Sequence, residues 1–318
     1  MSTTRKPLLA VVLTLLTPGL GHLYSGRPRL GAWVFLASQG ALLLSFLAIV
    51  WLASRGLVAL VAAGAVALAT LVAVCVHAAL VARRAPREYP LQPYNRWWVY
   101  VLVWLVVAMA WRPALFATVK RHLVEAYRVP SSAMEPTILV GDFLFADNRP
   151  SARRAPAPDQ VIVHESLTEP GVVVIKRVVG VGGDTLEMRD DVLIRNRVPQ
   201  REPFTQHIEP GNDQSSPEMV LWQREYLLPT VDPSTYQPTT GTWGPLVVPE
   251  GQVFVLGDNR HNSYDSRYWG FVPVSRIRGT PLLIYYSYDR TAPSSLPALT
   301  AIRWQRVGTR PWVVTPRN

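Results

Sequence analysis

Arg128-Val129-Pro130-Ser131-Ser132-Ala133-Met134-Glu135-Pro136-Thr137 marks the point where this 318-residue chain changes character. Ahead of it, residues 7–118 are mostly Ala, Val, Leu and Trp, with charges held in short clusters. Behind it, the chain is rich in Pro and Gly, and short β-branched and aromatic runs alternate with turn signals. The stretch itself puts small hydroxyl residues beside a Met and a Pro at that boundary. The length fits about two domains. We place the boundary so that residues 1–118 form a transmembrane anchor region and 119–318 a second domain.

Crossing the hydrocarbon core takes about 20 apolar residues. Three runs qualify, at about 30–53, 56–82 and 97–118. A fourth, 8–25, is broken by Pro18-Gly19 and Gly21-His22, which predicts an interfacial or re-entrant hairpin; a clean span and a cleavable signal peptide are the competing readings. Arg5 and Lys6 precede this segment, Arg27 and Arg29 follow it, and Arg83, Arg84, Arg87 and Arg96 lie between the last two spans. With these groups on the cytoplasmic side, only Arg55 remains in the external loop, and residues 119–318 emerge on the outer face. That outcome holds whether or not 8–25 spans. Trp97, Trp98 and Tyr100 open the third span as an aromatic belt.

The net charge of +10 fits an anionic membrane better than nucleic acid, because several of the Arg residues flank apolar runs. We expect membrane phospholipid as a partner and no nucleic acid. Cys75 is the one cysteine, so no disulfide can form within the chain and the redox compartment is not legible. His22, His77, His122, His164, His207 and His261 are scattered without ligand spacing, so no metal is expected. No other cofactor is expected.

In the second half, runs such as Phe143–Ala146, Val161–His164, Val172–Val181, Gln252–Leu256 and Leu282–Tyr288 predict strands. A helical continuation of the third span to about Glu125 precedes them. The fold class expected is an α-helical membrane anchor, three spans plus a re-entrant or fourth segment, followed by a mainly antiparallel β domain. Residues of about 185–250, with turn-rich stretches such as Glu209-Pro210-Gly211-Asn212-Asp213, predict an inserted subdomain. The Pro/Ser-rich segment 289–300 predicts a loop.

Two further segments carry chemistry. Val174-Ile175-Lys176-Arg177-Val178 sets a lysine inside an apolar strand, on one face with Val174 and Val178. Burial without a counter-charge lowers a lysine pKa. Bringing it from about 10.4 to about 7–8 costs roughly 4 kcal/mol and yields a neutral amine able to act as a general base. An edge-strand or snorkelling lysine is the plain alternative. Gly257-Asp258-Asn259-Arg260-His261-Asn262-Ser263-Tyr264-Asp265-Ser266-Arg267 is dense in polar groups. Asp258 is a candidate partner for Arg177, and Asp265 and Arg267 can pair across a turn, roles that hold a site together.

Taken in order behind an outward-facing span, the three segments resemble the signature boxes of type I signal peptidase, or leader peptidase. That family carries a Ser-Met-x-Pro-Thr box, a Lys-Arg-x-x-Gly-x-x-Gly-Asp box and a Gly-Asp-Asn-x-x-x-Ser-x-Asp-Ser-Arg box. The likeness runs on through Gly141-Asp142, reaches Ile302-Arg303-Trp304, and covers most of 120–318 apart from the insertion.

The resemblance implies a serine endopeptidase of the cytoplasmic (inner) membrane, multi-pass, with its β-rich catalytic domain on the outer (periplasmic or extracellular) side. Its partners would be secretory precursors, cut after a small-x-small motif. Lys176 would be the general base, Ser263 would orient it, and Ser131 would lend its hydroxyl to the oxyanion hole. Asp265 and Arg267 match the family's structural ion pair. The nucleophile position maps to Ala133, where serine is expected. Loss of a catalytic serine can cost on the order of 10⁶ in turnover. Three readings stay open: a Ser→Ala replacement in a peptidase, a natural non-catalytic relative that binds precursors, or use of the neighbouring Ser132 as nucleophile. One anchor would suffice for a peptidase, so the extra spans suggest a separate partner-binding or lipid-sensing unit.

Overall fold

A computed structural model describes residues 2–86, 88–153, 156–206 and 214–313. Arg87, His207 and the 209–213 turn lie outside the described residues. The chain divides into two compact units, Met1–Leu123 and Val124–Asn318.

In the first unit, α1 (Pro7–Leu16) and α2 (Leu20–Tyr24) form a hairpin. Pro18 stops α1, and Gly19 turns the chain at φ +93°. A Cβ on Gly19 would lie 2.3 Å from the Gly31 carbonyl oxygen, so only glycine lets the two backbones meet. At 1.5 Å per residue, ten-residue α1 reaches about 15 Å, half a hydrocarbon core. Segment 8–25 therefore folds as two short helices, neither long enough to span.

Among the described residues, three helices are long and apolar enough to cross a membrane: α3 (Pro28–Trp51), α4 (Leu57–Arg83) and Trp97–His122. Proline at the first turn of α3 starts it, and Gly56 reverses the chain into α4. Their outer faces carry exposed Trp33, Leu44, Val61, Leu68 and Trp97. A surface of this kind suits lipid as solvent. The third long helix ends at His122, and Glu125 lies in a strand instead of a helical continuation. Residues 124–128 find an antiparallel partner there, and the sheet takes over their backbone hydrogen bonds. The histidines are less scattered than their spacing suggests: His22 is fully buried, with Nε2 2.9 Å from His77 Nδ1.

Two short strands, β1 (Ser2–Thr3) and β2 (Tyr89–Pro90), pair in this unit. The second unit holds β3 (Val124–Arg128), β4 (Asp142–Asp147), β5 (Val161–Glu165), β6 (Val173–Val181), β7 (Thr185–Arg189), β8 (Val192–Arg195), β9 (Val198–Pro199), β10 (Trp243–Val247), β11 (Gln252–Leu256), β12 (Val272–Pro273) and β13 (Ile277–Ser287). The main sheet is antiparallel, in the order β12-β11-β6-β5-β13-β4-β3. The long strand β13 pairs with β5 at one end and β4 along the rest, with register shifts in both ladders. Such bulges bend a strand and coil its sheet. Strands β5 and β6 are buried on both faces, which is why they read as near-continuous apolar runs.

The insertion is more regular than its turn-rich sequence suggests. It forms a four-stranded sheet, β10-β7-β8-β9, whose Leu186, Met188, Trp243 and Leu246 share a core with Phe254 of β11. The predicted 289–300 loop contains a helical turn at Pro297–Thr300. A separate core of Val129, Met134, Ile138, Leu144, Val161, Val163 and Ile284 lies beneath the 129–142 segment.

Candidate active site

The 129–142 segment is a closed loop between β3 and β4. Val129 N–H donates to the Asp142 carbonyl (2.9 Å) and Gly141 N–H to the Val129 carbonyl (3.2 Å). Inside it, the Glu135 amide donates to the Ser132 carbonyl (3.0 Å) and the Ile138 amide to the Met134 carbonyl (2.8 Å). Met134 and Ile138 bury their side chains in the core below, so residues 131–133 are turned upward. Asp142 closes the base: it accepts from Leu139 N–H, Ser287 Oγ and Arg306, the last through Nε at 3.0 Å and Nη2 at 2.6 Å.

Lys176 sits in the middle of β6, opposite Ile162. It is 4 % exposed, and its Nζ donates to Ser263 Oγ at 2.7 Å. Among the described residues it forms no ion pair. Burial drives its pKa from 10.5 down to about 8; Asp265 and Asp258 pull it up, and Arg267 pushes it down. Desolvation outweighs the carboxylates because neither touches the ammonium.

Next to it, Arg177 faces Asp258 in a fully buried bidentate pair, at 2.7 Å from Nε and 2.6 Å from Nη2. Arg267 holds Asp265 the same way, at 2.9 Å and 3.0 Å. Burial would raise the Asp265 carboxyl, but the charge and hydrogen bonds of Arg267 win and hold it low. Asp265 also accepts from Gly257 N–H at 3.0 Å, and Arg267 Nη2 donates to the Arg260 carbonyl at 2.6 Å. The two pairs thus pin the 257–267 loop at both ends.

That loop touches the 131–133 turn directly. The Asn259 amide donates to the Ala133 carbonyl (3.1 Å), and Asn259 Nδ2 to the Ser132 carbonyl (3.2 Å). Asn262 Nδ2 donates to Ser132 Oγ at 3.0 Å. A Cβ on Gly257 would meet Ser263 Oγ at 2.2 Å and the Ala133 carbonyl at 2.4 Å. Gly257 is therefore where the lysine's partner and the Ala133 backbone come together. Ser131, Ser132, Ala133 and Lys176 line one cleft of about 270 Å³, with Val174, Glu169, Asn262, Tyr264 and Trp269 around them. Ser131 is exposed at its edge.

The cleft sets a buried, depressed-pKa amine beside a serine hydroxyl and a turn at position 133. A neutral amine there can take a proton from a hydroxyl on that turn.

The family description "Signal peptidase, peptidase S26" matches residues 96–286, more than half of the chain. The chain belongs to the signal peptidase S26 family. Signal peptidase I of Aquifex aeolicus is 31% identical, over 58% of this chain and 85% of the relative. Signal peptidase I of Pseudomonas aeruginosa is 29% identical, over 60% and 75%. A probable signal peptidase I-2 of Synechocystis sp. is 28% identical, over 66% and 83%. The matched region of this signal peptidase contains Trp97–His122 and the whole cleft, and leaves α1 to α4 outside.

Several residues around the signal peptidase cleft escaped the sequence reading. Glu202 forms a buried pair with Arg260, at 2.8 Å to Nη1 and 2.5 Å to Nη2. Phe204 covers Arg177 at 3.7 Å, and Gln206 pairs with the loop through Asp258 and Arg260 backbone atoms. The insertion thus braces the loop from behind, and no local pattern signals it. His164 is buried beside Trp269, and desolvation takes its pKa to about 4, with the Glu165 carbonyl opposing and the Lys176 charge adding. A histidine ending an apolar strand was the available signal.

Proposed function

We propose that this chain carries the Ser/Lys site of a signal-peptide-removing endopeptidase, with alanine at its nucleophile position. The observation that carries the reading is the buried Lys176–Ser263 pair beside the Ala133 backbone. Lys176 is the general base, its pKa lowered by burial to about 8 so that the neutral amine is within reach, and it is aimed by Ser263. Ser131 supplies a hydroxyl, and the backbone N–H of residue 133 a second donor, to the oxyanion of the tetrahedral intermediate. Asp258, Arg177, Asp265 and Arg267 hold the loop and touch no substrate. Ser132 is a poor substitute nucleophile, because its hydroxyl is already engaged by Asn262.

The sequence supports an active face outside the cytoplasmic membrane, since the basic clusters favour the cytoplasm at the other ends of the spans. Substrates are secretory precursors presenting small residues before the cut.

A methyl group at position 133 cannot attack a carbonyl, so the chain as it stands binds precursor without cutting it. The Ala133→Ser variant restores the missing oxygen one bond from the backbone that Asn259 and Gly257 fix. Purified in detergent, it should cleave a precursor with a small-x-small site, and Lys176→Ala on top of it should abolish cleavage. A serine form that binds precursor but never cleaves it contradicts the reading.

A further inference from the structure

The basic end of the first unit contains a guanidinium with two donors unpaired. Arg5 lies between two tyrosine rings, its Cζ 4.6 Å from the Tyr24 centroid and 4.4 Å from that of Tyr89. Its Nε and Nη2 are closed off from solvent, and no acceptor among the described residues receives a hydrogen bond from either. A guanidinium stays charged at any ordinary pH and presents its N–H donors in a planar fork. The π faces balance part of the charge but leave the in-plane donors unsatisfied.

The cage is a built one. Lys6 N–H donates to the Tyr24 hydroxyl (3.0 Å), and Thr3 pairs with Tyr89 between β1 and β2. The Tyr89 and Tyr94 hydroxyls lie 3.2 Å apart. Asn95 Nδ2 donates to the Leu23 carbonyl at 3.3 Å, which ties the 89–95 connection back to α2. Three separate parts of the chain therefore hold the two rings against Arg5.

Among the described residues of the unit, none accepts from Nε or Nη2 of the fork. Glu88 is the one acidic residue in the sequence from 1 to 123; it is exposed and makes no ion pair with Arg5. Arg27, Arg83, Arg84 and Arg96 stand at the same end, where α3 begins, α4 ends and the third long helix starts. This is the height at which apolar helices leave the hydrocarbon, the level of lipid phosphates.

We propose that Arg5, clamped by Tyr24 and Tyr89, binds the phosphate of an anionic phospholipid headgroup. The cage opens to admit the headgroup, two of whose phosphate oxygens then match the fork, and the surrounding arginines favour a lipid with net negative charge over a zwitterionic one. The claim is independent of the chemistry of the cleft.

The test uses the full chain, delipidated in detergent and offered dioleoyl-phosphatidylglycerol or dioleoyl-phosphatidylcholine, with bound lipid counted by native mass spectrometry. We expect phosphatidylglycerol to be retained about fivefold or more over phosphatidylcholine, and Arg5→Gln to bring the two level. Arg29→Gln, on the exposed rim, should leave the preference within about twofold of its original value. Arg5→Lys keeps the charge without the fork and should hold an intermediate preference; it carries the test if the glutamine variant does not fold. Excess inorganic phosphate decides the source of the anion. Displacement of the lipid assigns the site to phosphate as such, and persistence assigns it to the lipid. An Arg5 variant that keeps the original preference, or an equal loss in Arg29→Gln, overturns the proposal.

Discussion

The Lys176 amine donates a 2.7 Å hydrogen bond to the Ser263 hydroxyl and touches no carboxylate. Asp258 and Asp265 lie nearby, but each is spent on its own arginine. Burial therefore decides the protonation of Lys176, and an amine that gives up its proton around pH 8 is the result.

The titration of Lys176 can be observed almost in isolation, because the chain contains only three lysines, Lys6, Lys120 and Lys176. With ¹³C-labelled lysine, one resonance should titrate near pH 8 and disappear in Lys176→Met. The other two should remain when Lys176 is replaced.

Stability should carry the mark of the same shift. The unfolded lysine titrates near 10.5 and the folded one near 8, so between these values only the unfolded chain holds the proton. Raising the pH through that window stabilises the fold, and below pH 8 the full penalty of a buried charge applies. Lys176→Met should accordingly be more stable than the parent at pH 7, by up to about 3 kcal/mol, with the gain fading toward pH 10.5. Thermal unfolding at pH 7 and pH 10 checks the sign.

Gly257→Ala places a methyl against Ser263 Oγ and the Ala133 carbonyl. Either the serine or the turn must move, and the lysine loses its partner. In the Ala133→Ser background this substitution should lower kcat by about 100-fold or more while precursor binding changes little. Steady-state kinetics with one precursor peptide separates the two effects.

Removing one partner of a buried ion pair costs about 3–5 kcal/mol, because the other charge stays behind unpaired. Asp258→Asn should show a loss of that size in chemical denaturation, since Arg177 is fully buried. Glu202→Gln should show a smaller one, because its amide still accepts from Arg260. If the insertion braces the loop, Glu202→Gln also lowers kcat in the Ala133→Ser background without raising KM.

The boxes at 131–137, 176–184 and 257–267 were legible because their chemistry is local. A lysine in an apolar strand and a polar loop after a strand stand out against their surroundings. The spans were legible for the same reason, since lipid demands a continuous apolar run. The end of the third helix was not, because Val124–Arg128 suits helix or strand until β4 offers it a ladder. The role of Glu202 and Phe204 was hidden as well. Their partners, Arg260 and Arg177, are remote in sequence, and tertiary pairing leaves no periodic trace. Arg5 looked like an ordinary topogenic charge, and only the packing of Tyr24 and Tyr89 against its guanidinium distinguishes it from its neighbours.

The most direct test of the Ser/Lys reading is the pH dependence of precursor cleavage by the Ala133→Ser variant. Cleavage should rise with pH through a midpoint near 8, as Lys176 loses its proton, and should vanish in Ala133→Ser/Lys176→Ala. Cleavage that survives loss of the lysine, or no cleavage by a folded serine variant at any pH, would contradict it.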